Sequence, residues 1–227
     1  MENAHLGTTT LDRNNKYVNE EGYTDKVDFF HNIDKHIMED VNPSKYLNEI
    51  YKYNLFKERP FTMLYRLKEA MQSPIHHPEG NAWNHTMLVL DNAAEVRDKS
   101  KNPRVFMWAA LLHDIGKPDT TRNRKGKITS YDHDSVGAIL TKEFLEYFSC
   151  QEEFIESVVY LVRYHMHILY VLKDLPFGDI EGMKKNVDLD ELALLGLCDR
   201  LGRLNLDREK EEDDIRHFLR KINKKKG

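Results

Sequence analysis

The sequence predicts an all-α fold, and three observations carry that expectation. Glycine and proline are scarce, 11 and 7 in 227 residues. Few stretches alternate apolar and polar side chains as half-buried strands do. Apolar residues recur instead three and four positions apart, the spacing that places them on one face of a helix.

The elements follow in order. Residues 1 to about 25 carry few large apolar groups and many Asn, Thr and charged residues, so they read as a loose arm. Val27, Phe30, Ile33 and Ile37 mark a first helix. Pro43-Ser44 opens a second through Tyr46, Leu47, Ile50 and Tyr51, because the fixed φ of proline suits a first helical turn. Phe61 to Met71 gives a third, and Ser73-Pro74 and His77-Pro78-Glu79-Gly80 interrupt the chain. A helix from Asn81 to about Asp98 follows, then one from Val105 to Ile115. Gly116 is placed to end the latter in a left-handed conformation, with Pro118 preventing its resumption. Lys125-Gly126-Lys127 marks a turn or short hairpin. Asp134-Ser135 is read as capping a helix to about Phe148. Glu152 to Leu172, Asp188 to about Leu206, and a charged helix through Leu219 complete the chain. The expected organisation is an arm (1–25), N-terminal helices packed on the core (26–74), a central unit (75–206) and a charged C-terminal helix (207–227).

Composition excludes several classes. Hydrophobic residues are 40% and charged residues 32% of the chain, a water-soluble balance. The longest apolar runs, Val105 to Leu112 and Leu192 to Cys198, are too short to span a bilayer. Met1 to Thr10 shows no secretory signal. Cys150 and Cys198 have no metal-like or redox spacing, which fits a reduced, cytoplasmic setting. A formal charge of −4 excludes a strongly basic nucleic-acid coat and leaves local contact with RNA or nucleotides open.

The 11 histidines direct attention to metal chemistry. A His-Asp pair proves little, since roughly one is expected by chance and the chain has two, His113-Asp114 and His133-Asp134. Helical register says more. His113 shares a face with Phe106, Ala109 and Ala110, and Asp114 follows Met107, Ala110 and Leu111. Asp199 follows Leu192, Leu195 and Gly196. His165 follows Val158, Leu161 and Val162, while His167 points to the opposite side. His85 shares a face with Leu88, Val89 and Val96. Buried carboxylates are costly unless paired or bound to metal, and imidazole with carboxylate fits Mn, Fe, Zn, Ni or Co better than Ca. The plainer alternatives are hydrogen-bonded core imidazoles, an ion pair of Asp199 with Arg203, and a surface His133. Periodicity alone leaves both readings open.

The blocks Gly80-Asn81-Ala82-Trp83-Asn84-His85, Leu111-Leu112-His113-Asp114-Ile115-Gly116-Lys117-Pro118, Asp132-His133-Asp134-Ser135-Val136-Gly137-Ala138, Arg163-Tyr164-His165 and Cys198-Asp199-Arg200 resemble the HD-domain metal-dependent phosphohydrolases. They are most like the HD domain attached to some bacterial tRNA nucleotidyltransferases, which also carries a segment similar to His76-His77-Pro78-Glu79-Gly80. No block resembles the nucleotidyltransferase part, so a stand-alone HD protein is expected. The resemblance implies an HD helical bundle with additional N-terminal helices. It also implies one or two divalent ions (Mn, Fe, Ni, Co or Zn, with Mg admitted) held by His85, His113, Asp114, His133, His165 and Asp199.

The implied chemistry is hydrolysis of a nucleotide, cyclic nucleotide or similar phosphoester by metal-activated water. Asp114 would bridge, and His133 or His165 would protonate the leaving oxygen if not coordinating. Lys117, His77 and Arg203 are substrate-binding candidates, with Glu79 beside His77 in the implied pocket lining. Lys117 reads equally as a cation at a helix C-terminus, and the basic segment Arg122 to Lys127 as a solvated turn or an anion-attracting flap. Two other classes remain: a di-iron oxygenase on the same fold, and a non-catalytic nucleotide- or RNA-binding module.

Overall fold

A computed structural model describes residues 10–11, 17–18 and 21–224; most of the N-terminal arm and the end of the terminal lysine run lie outside the described residues. The two short strands β1 (Thr10–Leu11) and β2 (Tyr17–Val18) pair with each other, and everything after them is predominantly helical. The all-α expectation holds.

Helix α1 (Lys26–Glu39) starts where Asp25 accepts from the amides of Val27 and Asp28, satisfying donors that have no helical partner. It buries Phe29, Phe30, Ile33 and Ile37; Val27, expected inside, is exposed. Helix α2 (Pro43–Ile50) has its proline at the first turn, as expected. The third segment is not one helix but α3 (Thr62–Tyr65) followed by a 3₁₀ turn, Arg66–Glu69. These elements share one apolar core with the centre of the chain. Phe30 stacks on Trp108 with ring centres 4.7 Å apart, and the Trp108 indole donates to Asp34 at 2.6 Å. Trp83 donates to Asn48 at 2.8 Å. Both indoles are fully buried, each contributing on the order of 2–3 kcal/mol and each meeting its N–H requirement across the core.

Five helix ends define the interior. Helix α4 (Ala82–Val96) begins at Asn81, whose side chain accepts from the Asn84 amide. Helix α5 (Pro103–Leu112) is buried on every side. After it come the one-turn α6 (Lys117–Thr120) and a hairpin of β3 (Thr121–Arg124) and β4 (Lys127–Ser130). Helix α7 (His133–Tyr147) packs against α8 (Glu152–Tyr164). Helices α9 (His167–Leu172), α10 (Ile180–Asn186), α11 (Leu189–Leu201) and α12 (Arg208–Lys224) close the bundle.

Several boundaries differ from the expectations. The segment 152–172 breaks at His165-Met166, the 207–219 helix runs on to Lys224, and α10 has no counterpart among the expected elements. The start of α7 is not capped by Asp134-Ser135; Asp132 precedes it with φ +61°. Pro118 does not stop the chain from turning helically but sits in the first turn of α6. Gly116 is not left-handed, having φ −80° and ψ −11°.

Glycine is needed at 116 for space. A Cβ there would lie 2.2 Å from the His133 carbonyl oxygen and 2.6 Å from the Gly137 amide nitrogen, both backbone atoms that cannot rotate away. The approach seats α7 directly against the turn after α5. Gly116→Ala is therefore expected to cost about 1–3 kcal/mol by overpacking, read as a lower urea midpoint at unchanged slope.

Candidate metal centre

The helix ends bring together the residues that the sequence pattern separates by more than a hundred positions. His113 and His165 stand at the C-terminal ends of α5 and α8, where the last carbonyls lack helical partners. The Nδ1–H of His113 donates to the Ala110 carbonyl at 2.9 Å, and that of His165 to the Val162 carbonyl at 2.7 Å. His133, at the start of α7, donates from Nδ1 to the Ser130 carbonyl at 2.7 Å. A carbonyl only accepts, so all three rings carry hydrogen on Nδ1 and turn an Nε2 lone pair inward.

The inward atoms meet around Asp114. Its Oδ2 lies 3.3 Å from His113 Nε2 and 4.0 Å from His85 Nε2, and its Oδ1 lies 3.6 Å from His133 Nε2. His133 Nε2 and His165 Nε2 are 3.1 Å apart, two lone pairs face to face with no hydrogen between them. The Asp199 carboxylate reaches His85 Nε2 at 2.9 Å from the last turn of α11. His85, His113 and Asp114 offer ligand atoms within 4.8 Å of one another, as do Asp114, His133 and His165. All five are buried, and His113 Nε2 has no hydrogen-bond partner among the described residues. An orphaned imidazole nitrogen, facing lone pairs and two carboxylates are the donor set of a borderline transition-metal ion, so the residues fit such a cation.

The surroundings keep each group in a usable state. Burial would raise the Asp114 pKa, but His113, Lys117 and His85 outweigh it and hold the carboxyl well below its usual range. Burial likewise opposes ionisation of Asp199, and the His85 hydrogen bond and the Arg203 charge overcome it. Burial, reinforced by the neighbouring His165, lowers His133 to about 4; His165 is also lowered, by burial and then His113. His85 is the exception. Burial lowers its pKa, but hydrogen bonds to Asp199 and Glu79 prevail and raise it.

Glu79 sits behind His85. Its Oε1 accepts from His85 Nδ1 at 3.0 Å and from His77 Nδ1 at 2.8 Å, and its side chain is almost wholly buried. That is the carboxylate–histidine arrangement that fixes the orientation of metal-binding imidazoles. The sequence places Glu79 only in the pocket lining.

Lys117 is not a free helix-end cation. Its ammonium is 2.7 Å from Asp114 Oδ2 and bonded to Gln72. Arg200 turns away to Glu211 and Asp214, whereas Arg203 faces Asp199 and His77 electrostatically and has a buried Nε with no hydrogen-bond partner among the described residues. His167 points elsewhere, as the register implied, and accepts from the Asp179 amide at 3.1 Å. His133 is buried, not superficial. Sequence reading missed the Arg163–Asp134 pair, 2.5 Å apart, which ties the residue beside His133 to the helix that ends at His165. Spacing gave no signal of it, because the pair joins two different helices.

Residues 82–204, more than half of the chain, match the family model described as the HD domain. The chain belongs to the HD-domain family. This is a family of metal-dependent phosphohydrolases, and the buried His/Asp group agrees with its use of divalent metals. The HD chain is also similar to proteins named multifunctional CCA protein. The one from Halorhodospira halophila is 34% identical over 118 residues, 52% of this chain and 27% of that protein. The one from Mannheimia succiniciproducens is 24% identical over 177 residues, 75% of this chain and 42% of that protein. The one from Actinobacillus pleuropneumoniae is 29% identical over 102 residues, 45% of this chain and 24% of that protein. The HD chain thus matches 24% to 42% of the length of these relatives.

Two outcomes are expected. Glu79→Gln removes the charge that orients His85 and should weaken metal binding about 10–100-fold, measured by competition with a chelating dye. The metal-free protein should lose stability as pH falls from about 6.5 to 4. His77, His133 and His167, each held near 4 by burial first, then bind protons in the unfolded chain before the folded one. The raised His85 acts with opposite sign, favouring the folded state more at lower pH, but it is one group against four, since His165 is lowered as well. Thermal melts in chelator across this range check the slope.

Proposed function

We propose that this HD protein hydrolyses a phosphomonoester or phosphodiester of a nucleotide, cyclic nucleotide or similar small substrate with a metal-activated water. The observation that carries the reading is the convergence of Nε2 lone pairs from His113, His133 and His165 on the Asp114 carboxylate. His85, His113, Asp114 and Asp199 would hold one ion, and Asp114, His133 and His165 a second, with Asp114 shared. A divalent ion of the Mn, Fe, Ni, Co or Zn type supplies a coordinated water of lowered pKa and neutralises phosphoryl charge.

The remaining residues act on substrate. Lys117 and Arg203 bring positive charge to the two sides of the carboxylate cluster, where non-bridging phosphoryl oxygens need it. The unpartnered Arg203 Nε is a donor awaiting an acceptor of that kind. His77, half-buried at the rim and bonded to Glu79, would orient the ester's leaving side. Burial keeps His133 and His165 in their neutral forms, the forms that bind metal, which favours ligation over proton donation for both. RNA contact belongs to the same reading, through a terminal phosphoester presented to this site.

Asp114→Ala and His113→Ala are each expected to abolish hydrolysis of a model phosphodiester and to lower metal content, while far-UV circular dichroism stays helical. Undiminished turnover in both variants overturns the assignment. Iron in the purified protein with oxygen consumption and no phosphate release would replace it with the oxygenase reading.

A further inference from the structure

The hairpin β3–β4 leaves the chain directly after Lys117-Thr120 and returns directly before His133, whose ring is held by the Ser130 carbonyl. Its base is thus part of the site wall. Its register is Thr121↔Ser130, Arg122↔Thr129, Asn123↔Ile128 and Arg124↔Lys127. The turn residues Lys125 and Gly126 have φ +51° and +80°, a two-residue turn that continues the strand twist. Four paired positions at about 3.3 Å per residue carry the tip some 13 Å outward from the metal ligands.

Alternation along the strands sorts the side chains. Lys127, Thr129 and Tyr131 share one face, and their cross-strand partners put Arg124 and Arg122 on it; Asn123 and Ile128 face the other way. The guanidinium of Arg124 lies 5.2 Å from the centre of the Tyr131 ring, as that sorting requires. Arg122, Arg124, Lys125 and Lys127 are all exposed, and no carboxylate pairs with any of them among the described residues. This is a concentrated positive field on a chain of net charge −4. Tyr131 is 63% exposed, two residues from His133.

We propose that this hairpin face is a grip for single-stranded nucleic acid, which holds the strand so that its terminal phosphoester lies at the His/Asp centre. The proposal rests on the phosphohydrolase reading for what happens at that centre, but not for the binding itself. Cations without a carboxylate partner, beside an exposed aromatic ring that a guanidinium approaches from one side, match the alternation of phosphate and base along a strand. A polyphosphate or an acidic peptide would use the charges and leave the ring without a planar partner.

The test measures binding without turnover. The full chain, with chelator present, is titrated into a fluorescent oligouridylate of about ten nucleotides, with tripolyphosphate and polyglutamate as competitors. One variant combines Arg122→Gln, Arg124→Gln, Lys125→Gln and Lys127→Gln; a second is Tyr131→Leu. Circular dichroism confirms that both remain folded. The fourfold variant should bind at least tenfold more weakly. Its plot of log affinity against log salt should flatten by about 0.7 for each phosphate that the variant no longer neutralises. Tyr131→Leu should weaken binding at least about fivefold with the salt slope retained. Equal binding by wild type and fourfold variant overturns the proposal. So does an unaffected Tyr131→Leu, or displacement of the strand by either competitor at matched charge. Absence of hydrolysis would sink the phosphohydrolase reading and leave a hairpin-dependent affinity standing.

Discussion

The structure depends on one constraint, the accommodation of two carboxylates and a cluster of imidazoles inside a helical core. Unpaired, such groups would be costly to bury. Three of the imidazoles meet half of their requirement with helix-end or turn carbonyls and leave the other nitrogen facing the carboxylates. The arrangement is therefore not a set of independent core histidines. Each ring is pinned at one nitrogen and left open at the other, and the open atoms share one small volume.

The rest of the bundle positions that volume. Gly116 and Gly137 let backbone meet backbone where α7 crosses the turn after α5, which brings His133 within reach of Asp114. The Arg163–Asp134 pair fixes α8 relative to α7, so His165 faces His133. Glu79 orients His85 from behind, and Gln72 holds the Lys117 ammonium beside Asp114. Most of these contacts join segments distant in the chain. Moving one candidate ligand would therefore break or strain a neighbour's own buried bond.

Much of this was legible in the sequence. Helical spacing found the apolar faces of α4, α5, α8 and α11, and the five motif blocks named the residues that meet. What spacing could not show is what depends on contact between elements. The missing Cβ of Gly116 answers to the backbone of His133 and Gly137, not to its own helix. The break at His165-Met166 leaves no mark because Leu161, Tyr164, Ile168 and Val171 keep three- and four-residue spacing across it. Helix α10 is short and polar, with Met183 as its buried residue, so it offered little periodicity. Asp114 stands one helical turn before Lys117, but the bond of Lys117 to Gln72 and the sharing of Glu79 between His77 and His85 follow no helical register.

The stacking of Phe30 on Trp108 has a practical implication for recombinant fragments. A piece trimmed to residues 82–204 would retain His85, His113, Asp114, His133, His165 and Asp199, lose Glu79 from behind His85, and strand two indole N–H groups, Trp108 without Asp34 and Trp83 without Asn48. It would also turn the back of α5, whose far end bears His113, toward water. The buried core accordingly extends beyond the stretch recognised by family likeness. The segment from α1 to the 3₁₀ turn serves as a buttress for α5, not as an appendage.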